Sequence, residues 1–90
     1  MTFVPELEAP PMTVAEMTEV WTSAFGTAHL GAHDDFFDCG GHSLTAARIS
    51  QQIEVLTGVR LPALAVFDNP TPAGLTQVVN RTLQHTAGRS

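Results

Sequence analysis

Residues 40–58 read GGHSLTAARISQQIEVLTG, and this stretch decides the fold. Projected at about 100° per residue, Ala46, Ile49, Ile53 and Leu56 share one face of an α-helix. Leu44, Ala47 and Val55 fall nearly opposite, in company with Arg48 and Gln51. The first stripe has the composition of a core face; the second points outward. The Ser43 hydroxyl is placed to cap the start of this helix, and Gly58 supplies the left-handed residue that stops it after Thr57.

The same reading carried outward finds more helices and no sustained strand period. Thr13 and Glu16 have the spacing of a capping box, and Val14, Met17, Val20, Trp21, Ala24 and Phe25 form one helical face. That helix runs to about Gly26, with Glu16, Glu19, Thr22 and Ser23 on its other side. Residues 26–42 have no period and form a long loop, in which Phe36 and Phe37 stand among Asp34, Asp35 and Asp38 as anchors onto the core. Leu61 to Phe67 fits one or two turns of helix. Thr71 then caps a last helix that has Pro72 at its first position and Leu75, Val78, Val79 and Leu83 on one side. The fold class is all-α, a four-helix bundle of three main helices and one short helix, with a long loop between the first two. A Pro-rich linker over 1–12 and a polar, flexible tail over 85–90 flank a domain at 13–84.

Composition narrows the function. Ninety residues support one core but no second lobe. Nine acidic side chains against four arginines and no lysine make a nucleic-acid or anionic-membrane partner unfavourable. Cys39 is the only cysteine, so no internal disulfide forms, and no apolar run has the length of a signal core or a membrane span. These features suit a cytoplasmic monomer.

The stretch Asp35-Phe36-Phe37-Asp38-Cys39-Gly40-Gly41-His42-Ser43-Leu44 resembles the attachment motif of peptidyl carrier, or thiolation, domains of nonribosomal peptide synthetases, within the acyl carrier protein superfamily. Gly58, Leu61, Leu64, Phe67, Pro70-Thr71 and Leu75 extend the resemblance, which covers about Val14 to Leu83. It implies a non-catalytic carrier whose Ser43 takes 4'-phosphopantetheine from coenzyme A through a phosphopantetheinyl transferase. The cargo is then loaded by an adenylation domain and passed to condensation, thioesterase or tailoring enzymes. His42 stands where fatty-acid carriers typically have aspartate, which points to the peptide-synthetase branch. Gly40 and Gly41 are read as leaving the turn free of bulk, so that the modifying enzyme can approach. Leu44, Ala47, Arg48 and Gln51 are the expected partner-recognition patch. Cys39 replaces the family's usual aliphatic residue and is expected to fill the same apolar pocket.

Other readings compete. The carrier could serve a polyketide or siderophore pathway as an acyl or aryl carrier, or the chain could be a helical adaptor that is never modified. A serine hydrolase is disfavoured because the elbow motif wants glycine two residues after the serine, where Thr45 stands. A metal site from His29, His33, Cys39 and His42 matches no standard zinc spacing.

Overall fold

A computed structural model describes residues 11–27 and 30–87, with side chains described as far as residue 84. The chain forms α1 (Val14–Phe25), α2 (Ser43–Thr57), α3 (Ala63–Asp68) and α4 (Pro72–Ala87). No strand occurs among the described residues. The all-α architecture with one short helix and a long loop after the first helix is as expected.

Local chemistry sets the helix ends. The Glu16 N–H donates to Thr13 Oγ1 at 3.0 Å and the Thr13 N–H donates to Glu16 Oε1 at 2.9 Å, which completes the capping box of α1. Gly26 closes α1 and Gly58 closes α2, both in the left-handed region with φ of 74° and 78°. Thr71 caps α4 as its sequence position suggests, since its Oγ1 accepts the Gly74 N–H at 3.1 Å. The buried Pro72 follows at the first helical position, where a missing N–H costs nothing.

α1 packs on both α4 and α2, and α3 packs on α2. Met17, Val20 and Trp21 from α1, Ala46, Ile49 and Ile53 from α2, Val66 from α3, and Leu75, Val79 and Leu83 from α4 make the core. Of the expected core faces, Ala24, Phe25 and Val78 are partly buried against this core and two members are exposed. Leu56 is 60% exposed, in a surface hollow shared with Glu16 and Glu19 of α1, and Val14 is 36% exposed at the first turn of α1. Met12, placed by the sequence pattern at the end of the linker, is only 5% exposed. Its N–H donates to Asn80 Oδ1 at 2.7 Å and its carbonyl accepts from Asn80 Nδ2 at 2.8 Å, so α4 holds the chain one residue ahead of the α1 cap. Residues 88–90 of the expected tail and residues 1–10 of the expected linker lie outside the described residues.

The long loop is stitched across the bundle. The Phe36 N–H donates to the Pro70 carbonyl at 2.6 Å and the Ala73 N–H donates to the Ala32 carbonyl at 3.0 Å, which ties the loop to the corner between α3 and α4. These bonds satisfy backbone groups that an unstructured crossing would leave unpaired. They also fix the point from which α2 starts.

Candidate functional site

The start of α2 is built by a tight turn over residues 35–41. The Cys39 N–H donates to the Asp35 carbonyl at 3.0 Å, the Gly40 N–H to Phe37 at 3.1 Å and the Gly41 N–H to Phe36 at 2.9 Å. Phe36 is fully buried, with its ring edge-on to Trp21, Phe25 and Phe37 and tilted against Phe67, at centroid separations of 5.3–5.8 Å. Phe37 is 53% exposed. Phe36 therefore anchors the loop in the core, and Phe37 lies at the surface against Phe36 and against Phe67 of α3, at a centroid separation of 5.7 Å from the latter.

The two glycines answer different demands. Gly40 has φ of 88°, a backbone angle that L side chains rarely adopt, with open space where a Cβ would lie. Gly41 has no such angle, but a Cβ there would lie 2.5 Å from Cε2 and Cζ of Phe36. Bulk-free access for an enzyme, the role expected of the pair, is therefore not the nearest demand at Gly41: the closest object there is the protein's own ring.

Ser43 is the first residue of α2, not its cap. His42 occupies the cap position in extended geometry with φ of −148°, and its side chain makes no capping bond. The N–H groups of Ser43, Leu44 and Thr45 consequently have no acceptor among the described residues; the Ala46 N–H is the first to be paired, with the His42 carbonyl at 2.9 Å. The Ser43 side chain is exposed, it has no hydrogen-bond partner among the described residues, and the first turn of α2 carries no acidic residue. A phosphodiester on Ser43 Oγ fits this chemistry, since unpaired N–H donors and the positive end of the helix dipole both favour an anion there. His42 is itself exposed.

Leu44, Ala47, Arg48 and Gln51 lie on the outer face of α2, with Leu44 at 55% exposure. Val55 continues that face at 73%. Leu64 of α3, 61% exposed, is a further large apolar residue at the surface, one that the sequence pattern does not assign to the outside. Cys39 is exposed, contrary to the expected apolar pocket, because the turn that buries Phe36 carries residues 37–40 outward. Its thiol pKa is raised, first by partial burial and then by the charges of Asp34, Asp38 and Asp35. No three potential metal ligands converge among the described residues; His29, one of the four considered, lies outside them. No helix of the described residues is long and apolar enough to cross a membrane.

Comparison with known proteins agrees with this geometry. The sequence family described as "Phosphopantetheine attachment site" matches residues 15–79. Tyrocidine synthase 3 of Brevibacillus parabrevis is 41% identical over 68 residues, and a chondramide synthase of Chondromyces crocatus is 40% identical over 81 residues. These alignments cover 76% and 88% of this chain but only 1% and 2% of the two relatives, so the chain spans a very small part of the proteins it resembles. Among solved structures, a mutant peptidyl carrier protein superposes with a TM-score of 0.74 at 31% identity, covering 94% of this chain and 91% of that one. A peptidyl carrier protein solved with a phosphopantetheine transferase and coenzyme A superposes at 0.70 with 34% identity, covering 80% and 95%.

Proposed function

The chain belongs to the phosphopantetheine-attachment family and is a peptidyl carrier domain, and from that premise we propose that Ser43 is the residue that bears the arm. One observation carries the choice: Ser43 is exposed, its hydroxyl has no hydrogen-bond partner among the described residues, and it begins a helix whose cap residue, His42, makes no side-chain capping bond and follows the Gly pair of the motif. The 4'-phosphopantetheine group, when bound, supplies a long arm whose terminal thiol holds an acyl or peptidyl cargo as a thioester. The protein's own residues do the rest. Ser43 Oγ would give up its proton to the modifying enzyme and attack the pantetheine-side phosphorus of coenzyme A, whose P–O–P bond breaks with 3',5'-adenosine diphosphate leaving, so that Oγ becomes the ester oxygen. The first-turn N–H groups of α2 then face the new negative charge, which no side chain in that turn opposes. Gly40, Gly41 and His42 shape the approach to that oxygen.

The outer face of α2, with Leu44, Ala47, Arg48 and Gln51, is the surface that partner enzymes meet. Its exposure and its position next to Ser43 support this reading. The partners are a phosphopantetheinyl transferase, an adenylation domain, and condensation, thioesterase or tailoring enzymes; a carrier of similar fold has been solved with coenzyme A and a phosphopantetheine transferase. Tethering brings each cargo to these sites at high effective concentration, so the domain delivers without catalysing. A carrier domain that extends the expected 13–84 by Met12, held by Asn80, and by the helical residues up to Ala87, a monomeric state and a cytoplasmic setting complete the proposal.

Mass spectrometry tests it. Incubation of the 90-residue chain with coenzyme A, magnesium and a broad-specificity transferase adds one phosphopantetheine mass to the wild type and none to Ser43→Ala. An unmodified wild type removes the carrier assignment in favour of an unmodified adaptor. Addition to the Ser43→Ala variant moves the site elsewhere.

A further inference from the structure

We infer that Phe36 and Gly41 are a positioning pair for the modification reaction: the buried ring of Phe36 requires the absence of a side chain at residue 41, and this close contact sets where α2 presents Ser43. The inference rests on the attachment of the arm at Ser43 and adds a steric role that the motif alone does not reveal.

Four observations support it. A Cβ on residue 41 would stand 2.5 Å from Cε2 and Cζ of Phe36 and 2.7 Å from Cδ2, where carbon atoms ordinarily approach no closer than about 3.5 Å. Something would have to move by about 1 Å. The ring cannot yield, because it is fully buried with Trp21, Phe25, Phe37 and Phe67 packed around it. Its backbone is held from the far side, since the Phe36 N–H is bonded to the Pro70 carbonyl. The displacement therefore falls on residues 41–43. Gly40 does not share this role, as nothing lies within 4 Å of a Cβ there and its demand is for a positive φ alone.

A double-mutant cycle separates this contact from enzyme access. Leucine at position 36 keeps an apolar side chain but lacks Cε2 and Cζ, the two nearest of the three ring atoms that a methyl at residue 41 would strike, and its Cδ methyls can rotate away from residue 41 where a rigid ring cannot. For phosphopantetheine transfer to the full chain, Gly41→Ala is expected to lower kcat/KM by on the order of 10²-fold, with the loss in kcat more than in KM, as a misplaced nucleophile requires. In the Phe36→Leu background the same Gly41→Ala change is expected to cost less than about threefold. Without any transferase, backbone amide resonances of Ser43, Leu44 and Thr45 shift in Gly41→Ala and return toward their original positions in the double variant.

An equal loss in both backgrounds overturns the inference and makes residue 41 a matter of enzyme access. A harmless Gly41→Ala overturns it as well. Should Gly41→Ala fail to fold, the cycle is read in the double variant: folding and transfer restored by Phe36→Leu support the contact, and an unfolded double variant rejects it. Failure of the wild type to accept the arm would instead count against Ser43 as the site, and the amide shifts would still decide the contact.

Discussion

Cys39 stands four residues before the serine, and its reactivity follows from its surroundings. Its thiol loses a proton less readily than a free cysteine, mainly through partial desolvation and further through the nearby charges of Asp34, Asp38 and Asp35. The thiolate is the nucleophile, so alkylation of the unmodified protein by iodoacetamide should rise at higher pH than for a cysteine model peptide. Replacing Asp34 and Asp38 by asparagine removes two of the charges and should move that rise part of the way back toward lower pH. A profile that coincides with the free peptide would contradict the electrostatic account. At this scale the sequence is a partial guide. Gly40 and Gly41 are visible as a pair, but their separate reasons are not: one is a backbone angle, the other a ring that arrives from five residues earlier.

α2 is the element on which the site is built. Its length, its glycine stop and most of its core face are legible in the 3.6-residue period, because Ala46, Ile49 and Ile53 repeat with it and are buried. Leu56 repeats with it too and is exposed beside Glu16 and Glu19 of α1, since a period assigns a face but not which of its positions a neighbour covers. The cap also differs from expectation: Ser43 is inside the helix and His42 outside it, a shift of one residue that leaves the serine hydroxyl free for chemistry and not occupied with capping. For the outer face, Leu44→Glu or Arg48→Glu should reduce transfer of a loaded cargo by a partner enzyme roughly tenfold, in the range that a single interface residue supplies, with helicity by circular dichroism unchanged. Unaltered partner kinetics in both variants would remove α2's outer face from recognition.

The whole molecule is held together by contacts far apart in sequence. Asn80 of α4 holds both backbone groups of Met12, and its loss would leave a partly buried N–H and carbonyl short of partners. Asn80→Ala should lower unfolding stability by about 1–3 kcal/mol, read as a lower urea midpoint at constant slope. An unchanged midpoint would show that the bonds to Met12 contribute nothing net. The loop bonds from Phe36 to Pro70 and from Ala73 to Ala32 belong to the same class: they join segments whose proximity no local pattern encodes. By itself the sequence determined the helices, most of their caps and the family, and it carries the motif from which Ser43 is proposed, because capping, periodicity, glycine stops and a short motif all act over a few residues. Tertiary structure alone decided that Phe36 and not Phe37 fills the core, that residue 41 must lack a side chain, that Cys39 faces solvent and that Met12 is part of the fold. Those outcomes depend on which surfaces meet when α1, α3 and α4 close around α2, and close packing settles them only once every neighbour is in place.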